Sequence, residues 1–257
     1  MNTIYHVTKT FIAYLRRPDL YPELGRKIVK NIFKRNNAFK GKEKTNRWAA
    51  AKAVTQEKAI SSLFGVNSLA FRHDFSAFLA QAEQKQEECP VKMGGAGALE
   101  LIYYACEWTN AKAAIETGVA YGWSSLACLL SLEKRNGRLY SSDMPYLAQD
   151  GDRYVGCVVP DHLRSHWKLF RLADKESLPK IFSDYPEFDV IHYDSDKSYD
   201  GRIWAYDMLY TRLRKGGVFL SDDIGDNSAF QDFCEKLNID PTVIEYEGKY
   251  IGAFIKG

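Results

Sequence analysis

No apolar run in the chain approaches the ~18 residues needed to cross a bilayer, and Met1 to Arg17 lacks the apolar block and small-residue cleavage site of a signal peptide. A helical membrane span is excluded and export is not expected. There is no C-x-x-C pair. Five cysteines, Cys89, Cys106, Cys128, Cys157 and Cys234, stand far apart, and an odd number cannot all pair within one chain. Structural thiols in a reducing, cytoplasmic setting are expected, with neither a zinc cluster nor a cysteine nucleophile. Internal repeats and low-complexity tracts are also missing, so solenoid and disordered readings fall away.

What is present is 257 residues, 46% hydrophobic and 26% charged, enough for one ordinary domain plus an appendage. The net charge of +2 hides an asymmetry, because residues 1–60 hold 14 Lys and Arg against four Asp and Glu. That basic arm, with Arg16, Arg17, Arg26, Lys27, Lys30, Lys34 and Arg35, has the charge to meet an anionic surface. Apolar residues recur between its charges at helical spacing, which favours a packed helix docked on the acidic remainder of the chain.

Periodicity predicts helices at Ile4–Leu15, Glu23–Phe33, Arg47–Phe64, Phe71–Lys85 and Ala98–Trp108, giving a helical, basic N-terminal region over 1–95. From Ala113 short apolar runs alternate with helical stretches, as in a parallel sheet with crossover helices. Seven strands are expected: Ala113–Thr117, Arg138–Ser142, Lys168–Leu172, Phe188–Asp194, Gly217–Ser221, Thr242–Glu245 and Tyr250–Ile255. The fold class is α/β, a Rossmann-like seven-stranded sheet with helices on both faces over 96–257.

The first of these strands runs into Glu116-Thr-Gly118-Val-Ala-Tyr121-Gly122-Trp123-Ser124 and then a helix. Glycines let the backbone approach a ligand, and the helix start offers free N–H groups, which suits a nucleotide or an amino-acid carboxylate. The spacing is neither G-x-G-x-x-G nor G-K-[ST], so hydride and phosphoryl transfer lose ground. Asp143, 27 residues beyond Glu116 and at the end of the second strand, is placed to accept ribose hydroxyls. Asp174 suits an adenine amino group, or equally a helix N-cap.

Two acidic clusters follow at strand C-termini, Asp194-Ser-Asp-Lys197-Ser-Tyr199 and Ser221-Asp222-Asp223. Adjacent strands would bring Asp194, Asp222 and Asp223 together, where they repel unless a cation or protons compensate; an all-oxygen set suits a hard ion such as Mg²⁺. Loop caps explain each cluster singly and the pair less well. Tyr121, Trp123 and Tyr199 are candidate pocket walls, and His192 is expected to face the packed surface of the sheet rather than the site.

These motifs resemble those of class I S-adenosylmethionine-dependent methyltransferases. The segment from Glu116 to Ser124 resembles that family's first motif, and Asp143 its ribose-binding acid. The two acidic clusters resemble the branch related to catechol and caffeoyl-coenzyme A O-methyltransferases, and more closely the bacterial subgroup with macrocin O-methyltransferase-like and cephalosporin hydroxylase-like proteins. The resemblance spans residues 98–257. It implies S-adenosylmethionine bound by Glu116, Thr117, Gly118, Tyr121, Gly122, Ser124, Asp143 and Asp174. It further implies a metal on Asp194, Asp222 and Asp223, and Lys197 as general base beside Asp194. Two positions depart from the pattern: the catechol-type Asp-Asn is Asp222-Asp223 here, and many members of the closer subgroup have histidine where Lys197 stands. The expected activity is divalent-metal-dependent methyl transfer to a hydroxyl of a small molecule or glycan. The alternatives are a metal-independent enzyme acting on an amine or sugar, and a non-catalytic cofactor-binding module. A homo-oligomer is one candidate assembly.

Overall fold

The computed structural model describes residues 14, 17–26, 41–145 and 151–257. The helices expected at Ile4–Leu15 and Glu23–Phe33 fall largely outside these residues, as do Arg16, Lys27, Lys30, Lys34 and Arg35 of the basic arm. Among the described residues no helix is long and apolar enough to cross a membrane.

Among the described residues eight strands form one sheet: β1 (Ala53–Val54), β2 (Ala113–Thr117), β3 (Arg138–Ser142), β4 (Trp167–Phe170), β5 (Phe188–Tyr193), β6 (Leu213–Ser221), β7 (Thr242–Tyr246) and β8 (Lys249–Ile255). Their order is β1-β7-β8-β6-β5-β2-β3-β4, with β8 antiparallel to both neighbours and the other pairs parallel. The seven-stranded expectation therefore gains an edge strand from the region read as purely helical. Ala53-Val54 is too short to carry a period-2 signal, and its strand character comes from pairing with Val243 and Ile244.

The same two residues split the helix expected over Arg47–Phe64 into α1 (Lys42–Lys52) and α2 (Gln56–Phe64), and the Thr55 side chain caps the second by accepting from Lys58 N–H at 3.4 Å. The next expected helix is likewise two, α3 (Phe71–Asp74) and α4 (Ser76–Glu87), broken at Phe75 with φ −111°. Five more follow as α5 (Leu99–Trp108), α6 (Trp123–Leu132), α7 (Asp174–Asp184), α8 (Tyr199–Arg212) and α9 (Ala229–Lys236).

Strand alternation sends two sets of side chains to opposite faces. Ala114, Val190, Val218 and Leu220 join an apolar layer with α2, α5 and α6, including Ile60, Leu101, Ile102, Leu126 and Leu129. Ile115, Ile191, Tyr193 and Phe219 join the layer under α7, α8 and α9, with Leu178, Tyr206 and Phe233. Paired Phe219 and Phe254 stack there at 5.0 Å between centroids. Fully burying each such side chain contributes about 1.5–3 kcal/mol. Among the described residues both faces are covered, as a parallel sheet requires, and the C-terminal ends of β2, β3, β5 and β6 lie along one edge.

Arg17 and Arg26, the described part of the basic arm, dock on acids of the main domain. Arg26 pairs with Glu176 at 2.5 Å and Arg17 lies 3.9 Å from Asp152. Arg26 stands in a helical stretch, whereas Arg17 precedes it outside any helix and also pairs with its neighbour Asp19 at 2.7 Å.

Candidate functional site

A cavity of about 1340 Å³ opens at that C-terminal edge. Single-ligand pockets run to roughly 1,000 Å³, so this one has room for a cofactor and a second molecule. Gly118, Ser124, Asp143 and Asp174 line one part of it, and His192, Asp194, Lys197, Asp222 and Asp223 another.

The glycine turn brings the two parts together. Gly118 has φ +84°, and a Cβ there would lie 2.5 Å from the Asp194 carbonyl oxygen, so the backbones after β2 and β5 touch at a point where no side chain fits. Gly122, at φ +96°, starts α6 against Gly156. Glu116 is fully buried and accepts from the hydroxyls of Ser124, Ser125 and Ser141 at 2.7, 2.5 and 2.7 Å. It ties β2, β3 and the start of α6 together behind the cavity wall. Thr117 Oγ1 accepts from Asp194 N–H at 3.3 Å and Ser195 Oγ–H at 3.0 Å. Tyr121 OH donates to Val91 O at 2.9 Å and accepts from Met93 N–H at 3.1 Å, which anchors the loop whose Gly94–Gly97 stretch forms another wall. Of the residues expected to hold the cofactor, Gly118, Ser124, Asp143 and Asp174 thus face the cavity, while Glu116, Thr117, Tyr121 and Gly122 shape it from behind. Trp123 lines it as well; Tyr199 instead donates to Asp232 at 2.9 Å.

Asp143 Oδ2 accepts from Ala120 N–H at 3.1 Å and lies 3.2 Å from Arg171 Nη1. Burial pushes its pKa up to about 6 despite that guanidinium. Asp174 is the first residue of α7; it accepts from Ser142 Oγ–H at 2.8 Å and from Ser195 Oγ–H, and burial lifts it to about 6.

The acidic ends of β5 and β6 carry their own cations. The Lys197 ammonium sits between Asp194, which it touches, and Asp223, 2.9 Å away. Lys249 reaches Asp223 at 3.1 Å, and His192 Nε2 stands 3.3 Å from Asp222 Oδ1. Behind them the fully buried Arg202 donates to the Asp222 carbonyl at 3.3 Å. Burial would lower the Lys197 pKa, but Asp194 and Asp223 outweigh it and raise it. As it stands, the Lys197 ammonium donates to Asp194 and pairs with Asp223. Burial and Asp222 push Asp194 up to about 6 against the pull of Lys197, whereas Lys197 and Lys249 hold Asp223 below the usual carboxylate range against burial.

Among the described residues no three acidic or histidine side chains gather into a metal cage. Asp194, Asp222 and Asp223 each face a cationic side chain, and the Lys197 ammonium holds the point between two of them. As placed, the donor set does not fit the expected Mg²⁺, and no step below is routed through a metal.

His192 corrects a further expectation. Alternation does turn it away from Ile191 and Tyr193, yet the face it shares with Asp194 is the one onto which the cavity opens. In register His192 pairs with Leu220, which places Asp222 on the same face at the next same-facing position. A single strand cannot reveal this, because the identity of the open face depends on how the glycine loop and α5 pack. Lys249 and Arg202 were also missed: Lys249 lies in a hairpin far from any motif, and Arg202, three residues past Tyr199, reads as an ordinary helix residue.

Residues 115–224 match the model of a family described as a methyltransferase domain. A search of curated protein sequences found no match. Among solved structures, the Streptomyces achromogenes O-methyltransferase TomG, involved in tomaymycin synthesis and bound to S-adenosylmethionine, is 17% identical, with a TM-score of 0.54 over 73% of this chain and 96% of that one. An O-methyltransferase from Bacillus cereus in complex with S-adenosylhomocysteine is 15% identical, with a TM-score of 0.53 over 81% and 100%. The Podospora anserina methyltransferase PaMTH1, also bound to S-adenosylhomocysteine, is 15% identical, with a TM-score of 0.52 over 70% and 87%. Residues 115–224 thus match a methyltransferase domain, and with its glycine turn packed on an acidic strand end and its sheet order the chain shares the fold of these solved methyltransferases.

Proposed function

We propose that the protein transfers a methyl group from S-adenosylmethionine to a hydroxyl of a small molecule. The observation that carries this reading is the shared cavity, in which the Gly118 turn and Asp143 stand beside the Lys197–Asp194 pair. S-adenosylmethionine, bound along the glycine turn, supplies an electrophilic methyl on a sulfonium. The chain does the rest. Asp143 accepts the ribose hydroxyls, and Asp174 lies where an adenine amino group can donate to it. Lys197, fixed as an ammonium by Asp194 and Asp223, puts positive charge beside the acceptor oxygen and lowers its pKa. The walls from Gly94–Gly97, Trp123 and the β7–β8 hairpin align oxygen, methyl carbon and sulfur, and such positioning lowers the barrier of a displacement.

The test has two parts. Calorimetry should detect S-adenosylhomocysteine binding, and mass spectrometry should find a product heavier by one methylene when S-adenosylmethionine is incubated with a panel of phenols, catechols and hexoses. Methylation of amines alone would replace the hydroxyl reading, and cofactor binding without any transfer would favour a non-catalytic module.

A further inference from the structure

Segment 17–26 is fastened at both ends to the elements that carry Asp143 and Asp174, the two acids read as nucleoside ligands. At one end Arg17 donates to Arg171 O at 3.2 Å and lies 3.9 Å from Asp152. Arg171 in turn pairs with Asp152 at 2.6 Å, donates to Asp143 O at 2.9 Å and stands 3.2 Å from the Asp143 carboxylate. At the other end Arg26 pairs with Glu23 at 2.9 Å and with Glu176 at 2.5 Å, and Glu176 shares the first turn of α7 with Asp174. Between these points Leu20 is buried, and Tyr21, Pro22 and Gly25 line the same cavity as Asp143 and Asp174. Tyr21 is 45% exposed, and an aromatic ring at a cavity wall gains by lying against a flat base. The Arg26–Glu176 pair is partly exposed, so it is weak enough to open for an incoming ligand.

We propose that segment 17–26 is a strap over the nucleoside end of the cofactor, latched by Arg26 and Glu176, with Tyr21 and Pro22 as its ligand-facing wall. This inference rests on the S-adenosylmethionine reading above and adds to the cofactor site a part that no glycine or acidic motif marks. Because the strap reaches the cavity beside the nucleoside acids, it acts on any ligand that carries adenosine, with or without an amino-acid tail. A closed strap slows the departure of that ligand, and breaking the latch speeds it.

The experiment measures S-adenosylhomocysteine dissociation by stopped flow, and affinity for S-adenosylhomocysteine and for adenosine by calorimetry. It compares wild type with Arg26→Gln, Glu176→Gln, the variant carrying both changes, and Tyr21→Ala. Expected in each single variant are dissociation faster by about two- to tenfold and affinity for both ligands lower by a similar factor. The double variant should be no worse than either latch variant alone, since the same pair is broken once. Thermal unfolding without ligand checks each fold, and Tyr21→Ala, which leaves the latch intact, carries the comparison if a latch variant unfolds. Rates and affinities within about 1.5-fold of wild type in the folded variants overturn this inference alone. So does additive loss in the double variant, a loss confined to S-adenosylhomocysteine with adenosine unaffected, or a wild type that binds S-adenosylhomocysteine and not adenosine. Failure of the wild type to bind S-adenosylhomocysteine overturns the cofactor reading and this inference with it.

Discussion

Replacing Gly118 by alanine tests whether the contact between the glycine turn and the β5 end organises the site. At φ +84° an alanine pays roughly 1–2 kcal/mol for the left-handed conformation. Its Cβ would also lie 2.5 Å from the Asp194 carbonyl oxygen and 2.8 Å from the carbonyl carbon. Both neighbours are backbone. Gly118 N–H is tied to Ser142 O at 2.8 Å and Asp194 N–H to Thr117 O at 2.8 Å, so neither strand end can withdraw without losing a hydrogen bond. Such overpacking adds about 1–3 kcal/mol, for a total of about 2–5 kcal/mol. At ~2–4 °C per kcal/mol for a chain of this size, Tm should fall by roughly 4–20 °C. Calorimetry at a temperature where the variant remains folded should also find S-adenosylhomocysteine affinity reduced more than tenfold, because the turn and Asp194 move apart. Gly95→Ala is the control: it lines the same cavity, nothing lies within 4 Å of its added Cβ, and its φ is ordinary. That variant should lose less than about 0.5 kcal/mol. Equal urea midpoints for the two variants would refute the reasoning.

Asp143→Ala should weaken S-adenosylhomocysteine by about 1–3 kcal/mol in calorimetry, as expected for a lost buried hydrogen-bonding carboxylate; unchanged affinity would move the ribose site elsewhere. Lys197→Met should cut turnover at least tenfold with cofactor affinity nearly intact, and near-wild-type rates would remove the ammonium from the mechanism. The same variant leaves Asp194 and Asp223 without their shared cation, so Mn²⁺ binding followed by electron paramagnetic resonance should be at least tenfold tighter than in wild type; equal binding would show that Lys197 does not block a metal. Burial alone would lower the His192 pKa, but Asp222 just after β6, Asp194 just after β5 and Glu116 on β2 outweigh it and raise it from 6.5 to about 8. A raised histidine stabilises the fold fully below pH 6.5, and that contribution is lost as pH rises through about 8. Urea midpoints of the wild type should therefore decline over this window and those of His192→Gln should not; parallel curves would refute the assignment.

Sequence alone placed the strands β2 to β8 to within a few residues, because each is a short apolar run bounded by turn residues, and it located the cavity edge through the rule that ligands bind at strand C-termini. The glycines at 118 and 122 were legible for the same reason: both have positive φ, which few other residues adopt. The spacing from Glu116 put Asp143 at the end of the second predicted strand, and Asp143 does line the cavity.

Charge pairing lay beyond the sequence. Three aspartates at two strand ends read as a cation site because spacing reveals the acids, whereas their compensating charges come from elsewhere in the chain: Lys249 on the last hairpin, Arg202 inside α8 and His192 within a strand. Only packing decides whether a lysine three residues past an aspartate reaches solvent or turns back between two carboxylates, and this packing turned Lys197 back. The two-residue edge strand has the same origin, since Ala53 and Val54 have no pattern of their own and become a strand only where β7 offers its hydrogen bonds. Local pattern sets which residues stand at an edge; long-range contact sets what each one faces, and the chemistry of the site follows from the second.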